Sequence, residues 1–153
     1  VKEYRNEYSA DTRGWEYKVQ WRPYEGSRLW WAQSRTRVIS EQSTSLEKAT
    51  PGNIYTVAWF QDLPSDWELG VTYSYVGSLS WRSQPSDRIP SYGTTNLRLA
   101  KHFRIGSAKS ELALTVQSLD GDHLEFLSPT SANRNPVVPV VQRRTFLTFR
   151  TEI

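Results

Sequence analysis

The stretch from residue 14 to 23, GWEYKVQWRP, alternates between two kinds of side chain. Large apolar side chains occupy its odd positions, and charged or amide side chains occupy its even positions: Trp15, Tyr17, Val19 and Trp21 against Glu16, Lys18, Gln20 and Arg22. A period of two residues is the period of a β-strand and does not fit a helix. The stretch therefore predicts a strand with one apolar and one polar face.

The same alternation recurs along the chain between turn-forming residues. It predicts eight strands, at 1–5, 15–22, 28–39, 54–61, 67–76, 95–103, 111–119 and 143–153. The connections between them are in turn long and short. In an antiparallel meander every second connection lies at the same end of the sheet, so the short turns share one end and the long loops the other. Transmembrane β-barrels have this asymmetry.

The arrangement of rings points the same way. Trp and Tyr flank aliphatic residues on the apolar side of several strands, which suits a bilayer whose two interfaces attract these rings. We therefore expect an all-β fold, an antiparallel up-and-down meander of about eight strands that forms part of a transmembrane β-barrel. The residues expected to face lipid are Trp15, Tyr17, Val19, Trp21, Trp67, Leu69, Val71, Tyr73, Leu112, Leu114 and Phe149. Those expected to face the lumen are Glu16, Lys18, Arg22, Glu68, Arg98 and Arg150.

Composition limits the alternatives. Only 37% of the 153 residues are hydrophobic, yet 13% are aromatic, and no apolar run is long enough for a membrane helix. There is no cysteine for a disulfide framework or a thiolate metal site. The 19 basic and 16 acidic residues are spread along the chain, a distribution that argues against a nucleic-acid partner. A soluble β-sandwich with one wet face produces the same alternation and stays open as an alternative.

Several motifs resemble the C-terminal part of TonB-dependent outer-membrane receptors. RGWE at 13–16 with WRP at 21–23 is similar to the family's RGxE and WRP stretch. NLRLAKHFRIG at 96–106, ELALTVQSL followed by DGDHLEF at 111–126, and RRTFLTFR at 143–150 resemble its last three strands and their connections. Two positions depart from the family pattern, Ile153 at an end that is usually aromatic and Ser118 where Asn is usual.

The resemblance implies a C-terminal segment, residues 1–153, of a barrel of about 22 strands, with the plug domain and the N-terminal strands absent from this sequence. It implies a place in the bacterial outer membrane, among its lipids. There the receptor takes up a scarce ligand such as a ferric siderophore, with energy passed from TonB through the missing N-terminal part. A stand-alone small outer-membrane barrel and a soluble carbohydrate-binding sandwich are the alternatives.

Candidate ligand contacts lie in the long loops. Rings and guanidinium groups there can meet an anionic ligand, and the residues are Trp81, Arg82, Tyr92 and Arg134. The stretch 120–123, DGDH, is more typical of a turn than of a cation site. No set of residues forms a catalytic constellation, so we expect no enzyme activity, no cofactor and no metal site.

Overall fold

The computed structural model describes residues 10–40, 47–80, 88–125 and 140–152. Strands dominate these residues, and the long alternating stretches of the sequence are the long strands of the structure. The strands are β1 (Asp11–Trp21), β2 (Ser27–Ile39), β3 (Asn53–Leu63), β4 (Trp67–Val76), β5 (Leu79–Ser80), β6 (Arg88–Ile89), β7 (Tyr92–Ile105), β8 (Ala108–Gln117), β9 (His123–Leu124), β10 (Val140–Val141) and β11 (Arg144–Glu152).

Seven of these strands form one antiparallel sheet in the order β1-β2-β3-β4-β7-β8-β11. Each strand pairs with the next long strand along the chain, so the predicted all-β antiparallel meander is confirmed. Two short ribbons, β5 with β6 and β9 with β10, stand in the connections after β4 and β8. Among the described residues the sheet is open, and β1 and β11 are its two edges. The strand predicted at 1–5 lies outside the described residues.

Several strand ends differ from those that the sequence predicts. β1 begins at Asp11 rather than at Trp15, because β2 extends far enough to pair Ile39 with Asp11. β7 begins at Tyr92 rather than at Thr95, because Tyr92 pairs with the last residue of β4. Pairing with a neighbouring strand thus extends a strand past the residues in which apolar and polar side chains clearly alternate. β8 ends earlier than predicted, at Gln117, because Ser118 has a left-handed backbone with φ 55°.

The connections alternate in length as the sequence predicts. Short turns join β1 to β2, β3 to β4 and β7 to β8, whereas the other connections in the sheet are long. The tightest turn consists of Gly106 and Ser107, between the paired residues Ile105 and Ala108. Gly106 has φ 61°, which a two-residue hairpin turn of the II′ type requires at its first position. The short turns define one end of the sheet, the turn end, and the long connections define the other, the loop end.

The small side chains of the sheet are its most buried ones. Ala58, Ala100 and Ala113 are at most 2% exposed, and all three lie on the same side as Glu16 and Arg98. Large apolar side chains on the opposite side are exposed. The sheet is therefore a single layer in which small side chains are buried and large apolar side chains are exposed. A closed hydrophobic core has the reverse distribution.

Candidate functional surface

The register of the sheet decides which side chains share a face, because directly paired residues point to the same side. Trp21 pairs with Leu29, which pairs with Trp59, which pairs with Val71, and the same side continues to the last strand. All eleven residues predicted to face lipid lie on this side, which we call the apolar face: Trp15, Tyr17, Val19, Trp21, Trp67, Leu69, Val71, Tyr73, Leu112, Leu114 and Phe149.

The apolar face is largely open to its surroundings. Trp21 is 59% exposed, Phe149 57% and Leu147 72%, and Trp15, Trp31 and Leu114 are also exposed. Soluble monomers rarely expose continuous apolar patches larger than a few hundred Å². A face that displays rings and aliphatic side chains on all seven strands therefore needs an apolar neighbour, either lipid or protein.

Rings mark both ends of the apolar face. On β4, Trp67 stands at the turn end and Tyr75 at the loop end, eight residues apart. At about 3.4 Å per residue the two rings are about 27 Å apart along the strand. In a barrel whose strands tilt by about 35–45° this corresponds to about 19–22 Å along the bilayer normal, comparable with an apolar band of roughly 25 Å. Tyr75 stacks on Tyr55 with ring centroids 5.0 Å apart, so its row continues onto β3.

Two polar groups near the turn end of the apolar face have protein partners. The Trp59 indole donates to the hydroxyl of buried Ser27 over 3.1 Å at the turn end. Lys101 extends towards the same end, where its ammonium group donates to the Ser65 carbonyl and lies 5.6 Å from the Trp67 ring centroid. A cation at the border of an apolar band commonly turns its charge outward in this way. The sequence places Lys101 among apolar residues, and the structure gives the reason it is tolerated.

The opposite side, which we call the polar face, carries the residues predicted to face the lumen. Glu16, Lys18, Glu68, Arg98 and Arg150 all lie on it by register, whereas Arg22 lies in the turn just after β1. Those on the edge strands β1 and β11 make local contacts. The Glu16 carboxylate accepts a hydrogen bond from Ser34, the Lys18 ammonium lies 5.0 Å from the Trp30 ring centroid, and Arg150 pairs with Glu152 at 2.7 Å.

An ion-pair network crosses five neighbouring strands of the polar face in the half nearer the turn end. Arg98 holds Glu68 at 2.9 Å and Glu111 at 2.7 Å, and Glu68 also pairs with Arg28 at 2.8 Å. Weaker contacts of 3.8 Å add Asp62 to Arg28 and His102 to Glu111. We call these six residues the ion-pair network. The arginines stand on β2 and β7 and the carboxylates on β3, β4 and β8, so each arginine of the network lies next to a strand that carries an acidic partner.

A ring supports one side of this network. Phe60 lies against Gly70, where a β-carbon would come within 3.1 Å of its ring, so the absence of a side chain makes room for it. The Arg28 guanidinium lies 5.5 Å from the centre of the same ring. At this distance a cation is attracted to the face of a ring, so Phe60 adds to the contacts of Arg28 beside its ion pair with Glu68. The sequence gives little sign of Arg28, Asp62 or His102 as partners, because only the pairing of distant strands brings them together.

The predicted ligand contacts are only partly described. Trp81, Arg82 and Arg134 lie outside the described residues. Tyr92 stands at the loop end and stacks on His123 with ring centroids 4.6 Å apart, and His123 Nε2 lies 3.1 Å from Glu125 Oε1. This contact anchors the connection after β8 to the start of β7. The described part of the chain brings no other predicted ligand residue to Tyr92.

Neither a metal cluster nor a helical span appears among the described residues. No group of three or more His, Asp or Glu side chains there is arranged to hold an ion. No helix in that part of the chain is long and apolar enough to cross a membrane. Comparison with known proteins gives no relative, since no protein-family model, curated protein or solved structure matches the chain.

Proposed function

We propose that the chain forms part of the wall of an outer-membrane β-barrel, in a TonB-dependent receptor that takes up a ferric siderophore or a similar scarce ligand. The observation that carries the proposal is the single exposed apolar face, on which all eleven residues expected to face lipid lie together. The face has rings at both ends and aliphatic side chains between them. Lipid is the neighbour that suits such a face.

The openness of the sheet supports the same proposal. Both edge strands have one neighbour among the described residues, and each leaves a row of backbone groups free to pair. Lipid offers no hydrogen bonds, so a sheet crosses a bilayer only when its edges are closed by further strands. In our proposal, other strands of the same receptor pair with β1 and β11 and complete the barrel.

The polar face suits the interior of such a barrel. The ion-pair network joins opposite charges across five strands, and small residues such as Ala100 and Ala113 lie between them. A wide barrel has a polar, water-filled or plugged interior in which these charges keep their hydration. In a soluble sandwich the polar face would be the wet one as well, but the apolar face would need a second sheet against it.

Transport is the part of the proposal that rests on motif resemblance. The RGWE and WRP stretches and the last three strands resemble the family of receptors, and the long connections gather at one end of the sheet. In this arrangement the loop end faces outward and meets the ligand, and the turn end faces the periplasm. TonB would act on a plug domain that this sequence does not contain.

The first test concerns location and size. Membranes of the source organism are separated into fractions, and the polypeptide that carries this sequence is detected with an antibody against residues 117–125. The proposal predicts an outer-membrane band several times larger than 17.7 kDa whose mobility in SDS changes on boiling. A band near 17.7 kDa in the membrane indicates a stand-alone barrel, and a soluble band that ignores boiling indicates a sandwich.

The second test concerns transport. A strain that lacks the gene is grown under iron limitation and supplied with radioactive iron bound to the organism's own siderophores. We expect uptake to fall to the level of a TonB-deficient strain, and to recover when the gene is returned. Normal uptake with iron complexes and with cobalamin would contradict the transport function while leaving the barrel wall intact.

A further inference from the structure

Three arginines lie together at the loop end of the apolar face. Arg13 of β1 is paired directly with Arg37 of β2, and Arg35 is paired with Trp15, two residues further along β1. All three side chains are exposed. Like charges placed opposite each other in a sheet are destabilising. The juxtaposition therefore has a cost that the fold alone does not explain.

These arginines lack a protein counter-ion. No carboxylate among the described residues lies within 4.0 Å of any of the three guanidinium groups, and none of the three makes a side-chain hydrogen bond there. The polar face differs, because Arg28 and Arg98 each reach at least one carboxylate there. A group of three exposed cations without a described carboxylate partner is available to bind an anion from outside the described protein.

The arginines line one shallow concavity of about 890 Å³. Trp15 and Tyr75 contribute rings to its wall, and Gln33 contributes an amide. That amide is fixed in place, because Gln33 accepts a hydrogen bond from Tyr17 over 2.6 Å and donates one to Asn53 over 2.8 Å. The concavity thus combines three exposed cations with two rings and one hydrogen-bonded amide.

The position of the concavity on the sheet indicates which kind of anion it would bind. It lies on the apolar face, at the level where the ring of Tyr75 ends the aliphatic band, and this level is the bilayer interface if the proposed function holds. Phosphate-bearing headgroups occupy that level of a membrane, and guanidinium groups bind phosphate oxygens through two parallel hydrogen bonds. A soluble anionic ligand would instead meet the polar face or the loops.

We propose that Arg13, Arg35 and Arg37 form a binding site for the phosphorylated headgroup of a membrane lipid at the outer rim of the barrel. The rings of Trp15 and Tyr75 pack against the upper part of the acyl chains, and the arginines hold the phosphate groups above them. The inference rests on the proposed membrane location and adds to it a specific class of lipid, one that carries a phosphomonoester or several phosphates.

The test uses the complete receptor polypeptide, extracted in a mild detergent and freed of lipid. Dioctanoyl phosphatidic acid and dioctanoyl phosphatidylcholine are titrated separately, and bound lipid is counted by native mass spectrometry. Since each arginine near an anionic surface favours binding, three of them give on the order of 100-fold preference for phosphatidic acid. The triple variant R13Q/R35Q/R37Q is expected to bind both lipids within about twofold of each other.

A matched variant removes the same charge elsewhere. R22Q/R104Q/R144Q changes three exposed arginines that make no ion pair with a described carboxylate, and it is expected to keep the preference. Retention of SDS-resistant, heat-modifiable migration by both variants shows that they are folded. Because the triple variant at 13, 35 and 37 relieves repulsion between cations, we expect it to fold at least as well as the parent.

Each outcome has one meaning. A preference that disappears only in the variant at 13, 35 and 37 supports the site. A preference that persists there, or is equally lost in the matched variant, overturns it. Displacement of phosphatidic acid by an equal concentration of inorganic phosphate also overturns it, in favour of a soluble anion. A polypeptide that is monomeric without detergent would refute the proposed membrane function itself. Failure of the proposed function is thereby distinguished from failure of the lipid site.

Discussion

The two faces of this sheet share one backbone but differ in how their side chains are stabilised. On the polar face, Arg98 and its partners bind one another across five strands. On the apolar face, the large side chains such as Trp21 and Leu147 remain exposed and have few protein partners. The charges of the polar face therefore find partners within the described chain, whereas the apolar face needs an apolar neighbour that the described residues do not supply. Four substitutions test this difference between the faces.

The largest effect is expected from a charge at the middle of the apolar face. Val71→Lys places an ammonium group among aliphatic side chains, and near the bilayer midplane it should lower the free energy of unfolding by about 2–4 kcal/mol. Urea titration of the receptor in lipid bilayers, followed by Trp fluorescence, measures it. Thr72→Lys, one residue further and on the polar face, is the control. Equal losses in the two variants would show that the faces are assigned incorrectly.

The next effect concerns the ion-pair network. Arg98→Gln removes two ion pairs at once, and partly exposed pairs are worth up to about 1 kcal/mol each, so a loss of about 1–2 kcal/mol is expected. The same urea titration measures it at low and high salt. Since salt screens such pairs, the difference between variant and parent should shrink at 1 M salt. A difference that does not depend on salt would mean that Arg98 acts through packing.

A smaller effect tests packing within the apolar face. A β-carbon at Gly93 would come within 2.8 Å of Cζ in the Tyr73 ring, so Gly93→Ala must push this ring aside. We expect a loss of about 1 kcal/mol, at the low end for overpacking. Gly52→Ala is the matched control, because its added carbon meets only a backbone oxygen at 3.6 Å. Tyr73→Leu should make Gly93→Ala nearly neutral, and full additivity of the two changes would contradict the contact.

The smallest effect is expected at the edge of the sheet. Arg150 pairs with Glu152 on β11, where both side chains are more than 60% exposed. Arg150→Gln should change the free energy of unfolding by less than about 0.5 kcal/mol, as is usual for exposed positions. A loss as large as that of Arg98→Gln would indicate that the edge strand has a further partner on its polar face.

The sequence predicts the strands well because alternation is a local property. β4 begins and ends at the predicted residues, and the alternating connection lengths are enough to predict the meander. Strand ends such as Asp11 and Tyr92 are missed, because they depend on how far the neighbouring strand extends. Local patterns do not contain that information.

For the two faces as well, the sequence predicts what depends on local alternation and misses what depends on the register between strands. Which residues share the apolar face could be predicted, since a face needs only the period of two. The partners of Glu68 and Arg98 could not, because they follow from the register between strands up to 40 residues apart. The arginine site is also a product of register, since Arg13 and Arg37 become neighbours only when β1 pairs with β2.

Site-directed spin labelling can determine whether the apolar face contacts lipid, as we propose. The sequence has no cysteine, so single cysteines can be placed at successive positions from Leu69 to Ser74 and spin-labelled. In bilayers, collision with oxygen reports contact with lipid, and collision with a water-soluble nickel complex reports contact with water. The account predicts high oxygen accessibility at 69, 71 and 73 and low values at 70, 72 and 74. A profile without this period of two, or with the opposite phase, would contradict it.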